Sequence, residues 1–201
     1  MARYSLVIIF AIHFFACGSP NTDPLTPDGA HNLFIQAFAQ KDYKTVYDLL
    51  TQNTKKDFHD YLEKTRQVVS IIRSDYPVAL QEKAIADLSI PFKADTFSYK
   101  EIETSASEDE TFRRLCNKMF SSKNETPSII QRFGTRVQSL ELENPDKAII
   151  KTLANETLVY IKEPDQHWRT AEIFGLNFTG LVQVSRQNLE ITKRNVEVFA
   201  K

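Results

Sequence analysis

The stretch VQSLELENPDKAIIKTLANETLVYIKEPDQHWRTAEIF, residues 137–174, decides the fold. Four segments in it carry strand-length, alternating apolar patterns: Val137–Glu143, Lys147–Leu153, Thr157–Glu163 and His167–Phe174. Between them lie Asn144-Pro145-Asp146, Ala154-Asn155-Glu156 and Pro164-Asp165-Gln166, each rich in residues that favour turns. Connections this short cannot carry a crossover, so consecutive strands must run antiparallel. The sequence therefore predicts a four-stranded meander.

Upstream of Gly134 the apolar period is helical. Thr26 can cap a first helix with Pro27 at its start and Ala30, Leu33, Phe34, Ala37 and Phe38 on one face. Asp42 restarts a second, carrying Tyr43, Val46, Tyr47 and Leu50. Thr54 and Asp57 read as the capping pair of a third, with Phe58, Tyr61, Leu62, Thr65, Val69 and Ile72 in its stripe. Asp75-Tyr76-Pro77 ends that helix and opens a fourth, Pro77 to Leu88, stopped at Ile90-Pro91. Residues Phe92–Ser105 give no clear period. Ser107 and Glu110 form a capping box before Phe112, Leu115, Cys116, Met119 and Phe120, and Lys123–Pro127 reads as a loop.

After Gly175–Gly180 a last helix runs from Leu181 to Phe199. Val182, Ser185, Leu189, Thr192, Val196 and Phe199 form one row, and Val184, Ile191 and Val198 a thinner second one. Two rows suggest contact on two sides: docking on the chain's own domain, or a helix for a partner or for self-association. The whole is an α+β chain: N-terminal helices packed on a curved four-stranded antiparallel meander, with an additional C-terminal helix. Its domain spans residues 27–180, and the terminal helix 181–201.

The N-terminus carries an address. Arg3 precedes the apolar run Ser5–Ala16, too short to cross a bilayer, which needs roughly 20 apolar residues. A basic start, a short apolar core and small residues make a signal peptide over residues 1–16. Phe14-Phe15-Ala16-Cys17-Gly18-Ser19 resembles the lipobox of bacterial lipoproteins, whose cysteine is acylated and becomes the first residue of the mature chain. Phe14 stands where that family usually has Leu, and Phe15 where it has a smaller residue. Cleavage after Gly18, giving a soluble secreted or periplasmic protein, is the rival reading; an uncleaved anchor is disfavoured by length. The resemblance makes Cys17 the lipid-attachment site and the membrane a partner. Gly18 after it leans toward an outer membrane, in a host with two. Ser19–Asp28, with three prolines, reads as a flexible tether, its domain-free part being residues 17–26.

Chemistry is sparse. From Cys17 on there are 24 basic and 26 acidic side chains, a net charge of −2 with no nucleic-acid footprint. Cys116 is the one cysteine left after Cys17, so no internal disulfide forms. His31, His59 and His167 lack metal-ligand spacing, and Glu108-Asp109-Glu110 lacks the pattern of a calcium loop. Five glycines in 201 residues make no phosphate-binding loop or nucleophile elbow. The sequence implies no cofactor and no metal.

Residues 34–50, with Gln40-Lys41-Asp42-Tyr43 at the first helix junction, and residues 159–173, with His167-Trp168 opening the last strand, resemble the nuclear-transport-factor-2-like superfamily. That resemblance implies helices lying in the concave face of the sheet, forming a cone with a pocket. Tyr43, Tyr47, Tyr160, His167 and Trp168 would then line the pocket, with Asp42 and Asp48 as further acid–base candidates. Against that, Tyr43 and Tyr47 also fit helix–sheet packing, Asp42 a helix cap, His167 a place beside a hairpin turn and Trp168 a core position closing the sheet. A non-catalytic accessory domain binding a small ligand or an envelope protein is the expected role. The alternatives are a cone-fold enzyme (isomerase, dehydratase or hydrolase-like) acting on a small apolar molecule, and an assembly protein using its C-terminal helix.

Overall fold

The computed structural model describes residues 20–92, 95–120, 130, 137–171, 173 and 176–200. The signal segment, Cys17 and the Lys123–Pro127 loop lie outside the described residues. The chain is α+β. Its elements are α1 (Pro27–Ala39), α2 (Tyr43–Asp48), α3 (Gln52–Asp75), α4 (Val78–Ala86), β1 (Ile90–Pro91), β2 (Thr96–Phe97), α5 (Tyr99–Glu103), α6 (Glu108–Met119), β3 (Val137–Asn144), β4 (Lys147–Thr152), β5 (Thr157–Lys162), β6 (Trp168–Thr170) and α7 (Phe178–Phe199).

Local chemistry accounts for most of the boundaries. The Thr26 hydroxyl accepts from Gly29 N with Pro27 in the first turn, and Asp42 accepts from Thr45 N at 3.1 Å. The cap of α3 is Thr51, not Thr54: Thr51 Oγ1 accepts from Thr54 N at 3.2 Å, which places Thr54 three residues into the first turn. At α6 the Ser107 hydroxyl accepts from Glu110 N, but the Glu110 carboxylate reaches back to Ala106 N at 2.9 Å rather than to Ser107 N. α4 ends at Ala86, two residues short of Leu88, because Leu88 N and Ser89 N bond three residues back and tighten the last turn. In the unreadable stretch Phe92 N donates to Asp95 O, β2 pairs back onto β1, and α5 is opened by a Ser98–Glu101 capping box. Asn177 caps α7, which starts three residues before Leu181.

The stretch read as a tether is hydrogen-bonded from Asn21 onward. Asn32 Nδ2 donates to Asn21 O at 2.8 Å, and Trp168 N donates to Pro24 O at 2.8 Å. Gly29 permits this docking: a Cβ there would lie 2.1 Å from Asp23 O. A side chain at that position would have to push the strand-side turn away.

The sheet order is β3-β4-β5-β6, antiparallel throughout and not closed. The turns fall where the sequence places them, with Asn155 and Gln166 at positive φ. The fourth strand is shorter than His167–Phe174, keeping three residues. The chain leaves the sheet after Thr170, and ahead of α7 Ile173 bridges to Leu176, whose N–H donates to Ile173 O at 2.8 Å.

Ala148, Ile150, Leu158 and Tyr160 face the helices from β4 and β5, meeting Phe34 and Phe38 of α1, Val46 of α2, Phe58 and Leu62 of α3, and Phe112 and Leu115 of α6. Trp168 belongs to the same core, where α1 packs against β6. α3 is about 36 Å long at 1.5 Å per residue, longer than that core. Its C-terminal half, with Val68 and Ile72 and with Tyr76 at its C-cap, builds a second cluster with Ile85, Leu88, Leu189 and Val196. α7 thus lies along α3, its first row inward. Phe199 closes the far end against the Tyr76 ring, centroids 4.9 Å apart.

Candidate functional site

The five residues expected to line a pocket do not converge on one. Tyr160 is fully buried on β5, its hydroxyl 3.1 Å from Nδ1 of His31 on α1. Burial strips the His31 imidazole of water and pushes its pKa down to about 4, so it is neutral at pH 7. Tyr43 is buried between Phe38 and Phe120. Its hydroxyl has no hydrogen-bond partner among the described residues, and burial holds its proton far more tightly than usual. Trp168 is a core residue. His167 sits at the β5–β6 turn with Nδ1 3.2 Å from Asp165 Oδ2, a close contact without hydrogen-bond alignment. Arg169 takes both Asp165 oxygens and keeps that carboxyl far below its usual range. Asp42 is a helix cap, and Asp48 pairs with Lys44. Cys116 is buried, and loss of solvent raises its pKa well above normal, which leaves an unreactive thiol.

Tyr47 points the other way, to a polar cluster where α2, α3 and α6 meet. Its hydroxyl donates to Glu108 Oε2 at 3.3 Å, and Glu108 Oε1 lies 2.5 Å from His59 Nδ1. The carboxylate hydrogen bond raises the His59 pKa. Lys55 lies over the Tyr47 ring, 5.3 Å from its centroid. The cluster ties three helices together at the surface.

Two cavities open on α3, and none of the five residues lines either. One, between α3 and α5, is a shallow basin lined by Arg66, Val69, Ser70, Arg73, Ser74 and Tyr99. Both of its guanidinium groups are already paired, Arg66 with Glu63 and Arg73 with Glu103. The other is a groove of about 210 Å³ between α3, α7 and residues 87–91. Tyr61, Thr65 and Val68 line it from α3; Leu181, Val184, Ser185 and Asn188 line it from α7.

The groove exists because small residues interrupt two bulky stripes. Thr65 and Ser185 stand where each helix otherwise carries larger side chains toward its neighbour. Each has spent its hydroxyl proton on its own helix: Thr65 donates to Tyr61 O and Ser185 to Val182 O, both at 2.9 Å. What remains to offer is lone pairs. Asp87 adds a carboxylate, and among the described residues no basic one lines the space. Burial pushes the Tyr61 phenol up to about 12, so it stays neutral. Such a groove suits an apolar body carrying a hydrogen-bond donor or an ammonium group. Thr65 and Ser185 were visible in the sequence as small polar members of apolar rows. Their juxtaposition across 120 residues was not.

Among the described residues no cluster of His, Cys, Asp and Glu could hold a metal ion, and no helix is long and apolar enough to cross a membrane. No protein-family model, no curated protein and no solved structure matches the chain.

Proposed function

We propose that this chain is a lipid-anchored accessory protein of a bacterial cell envelope, tethered through Cys17, which binds a small, largely apolar ligand without transforming it. The observation that carries the binding reading is the α3–α7 groove, with its apolar walls, the free lone pairs of Thr65 and Ser185, and the Asp87 carboxyl. At about 210 Å³ it is smaller than the roughly 300–1,000 Å³ typical of drug-sized ligands. A ligand the size of one aromatic ring with a short amine fits that scale. The anchor reading rests on the lipobox-like segment ending at Cys17. Two acyl chains hold a protein on a membrane stably where one does not.

Ligand-observed NMR on the full chain in detergent tests the groove. Phenethylamine is expected to bind, and 3-phenylpropionate, its acidic counterpart, to bind at least tenfold more weakly. Val184→Trp, at an exposed position on the groove wall, should abolish the phenethylamine signal. Equal binding of the two probes, or binding unaffected by V184W, overturns the reading. For the anchor, Cys17→Ser should release the protein from membranes, and an unmodified terminus after Gly18 by mass spectrometry would refute acylation.

A second reading rests on the thinner row of α7. Val184, Ile191 and Val198 remain about half exposed or more at seven-residue spacing, while the first row packs on α3. This is a face for self-association or an assembly partner. Replacing the three with Gln should leave the fold intact and lower the sedimentation coefficient of any oligomer. An unchanged coefficient in an oligomeric wild type rejects this face.

A further inference from the structure

The two edges of the sheet are treated differently. β6 is sealed along its outer side: Thr51 N donates to Thr170 O, Thr170 N to Leu49 O, and Trp168 N to Pro24 O, all within 2.8–3.0 Å. β3 at the opposite edge pairs with β4, and no second strand pairs with it among the described residues. From Gln138 to Asn144 every residue of β3 is exposed.

The exposed strand carries information on both faces. Leu140 pairs with Ile150 and Leu142 with Ala148, so the two leucines share the helix-side face of the sheet. Ile150 and Ala148 are fully buried, whereas Leu140 is 39 % and Leu142 57 % exposed: the apolar face continues past the helices that cover it. Glu141 lies between them on the other face and has no ion-pair partner among the described residues, while the neighbouring Glu143 is held by Lys147 at 2.7 Å. Register shifts between Val137 and Ser139 and between Leu142 and Asn144 leave Ser139–Leu142 as the regular window. Bulges and charge are how edge strands avoid open-ended association. Here they bracket four residues rather than removing the edge.

We propose that β3 is a docking edge for a short extended segment of a partner polypeptide with an apolar–basic–apolar pattern, added as a fifth strand. Main-chain hydrogen bonds would supply affinity, as in other strand-addition complexes. The two apolar residues would cover Leu140 and Leu142 on one face, and the basic residue would meet Glu141 on the other. A second copy is a poor occupant. The antiparallel register that brings Leu140 against Leu142 of a second copy sets Glu141 directly opposite its own duplicate, and like charges in that position repel. This inference is independent of the groove and of the anchor.

The test uses the full chain in detergent and two synthetic peptides, Thr-Thr-Leu-Lys-Leu-Thr-Thr and the same sequence with Glu for Lys. The lysine peptide is expected to bind at least tenfold more tightly by calorimetry, with amide shifts confined to residues 137–144 in NMR. Glu141→Lys, an exposed substitution that leaves β3–β4 pairing untouched, should reverse the preference. N-methylation of alternate peptide amides on the pairing side should abolish binding. Equal affinity for the two peptides, a preference unaltered by E141K, or self-association of the wild-type chain through β3 would each overturn the proposal.

Discussion

Lowering the pH from 6.5 toward 4 is expected to destabilise the folded chain through His31. This imidazole is only 2 % exposed, on the buried side of α1 and against the Tyr160 ring, with ring centroids 6.0 Å apart and planes at 85°. In the unfolded chain it would take up a proton near 6.5; in the folded chain desolvation holds that off to about 4. Across this window the unfolded state binds more protons, so stability falls as pH falls and is fully present only above 6.5. With about 1.4 kcal/mol for each pH unit of separation, the loss is about 2 kcal/mol by roughly pH 5 and about 3 kcal/mol at the bottom of the window. Against a total stability of about 5–15 kcal/mol this is a large effect. Urea unfolding of wild type and His31→Gln at matched pH isolates it from the carboxylates, which both proteins share. The glutamine can keep a hydrogen bond to Tyr160, and its curve should be flatter by that amount. Parallel pH profiles would show that His31 is not the group concerned.

Phe58→Ala is expected to cost about 3–5 kcal/mol, the range for deleting a buried aromatic side chain and leaving a cavity. Phe58 is fully buried where four helices converge. Its ring centroid lies 5.0 Å from Phe178 of α7, 5.8 Å from Phe112 of α6, 6.3 Å from Tyr47 of α2 and 6.4 Å from Tyr61 on its own helix. Aromatic pairs of this kind add energy beyond the area they bury. These neighbours belong to separate elements whose backbones are fixed by other contacts, so collapse into the vacancy is restricted. Phe58→Leu should lose less than half as much. A cost below about 1 kcal/mol for the alanine variant in urea would mean the four helices are held together elsewhere.

How much was legible follows from the range of the forces involved. Thr26, Asp42 and Ser107 announced helix starts because a cap acts over three residues. Thr54 misled because Thr51, Thr54 and Asp57 repeat the same chemistry at the same spacing; the tertiary contact of Thr51 N with Thr170 O selects the first. The strands of the meander were readable because each turn is local. The length of the last one was not, since it depends on where the chain must turn to reach α3. Tyr43, Tyr160 and Trp168 look alike in sequence whether they line a pocket or fill a core. Helix packing against the sheet put them in the core.

The sequence by itself determined the order of helices and strands, the antiparallel meander and the amphipathic face of the last helix, because capping, turn formation and hydrophobic periodicity act over a few residues. Only the tertiary structure decided which surfaces remained. α7 settled on α3, so that two small hydroxyl residues 120 positions apart became facing walls of a groove. Residues 49–51 and Pro24 sealed β6, while among the described residues β3 kept an open edge. Those outcomes rest on contacts between residues far apart in the chain, which no local pattern encodes.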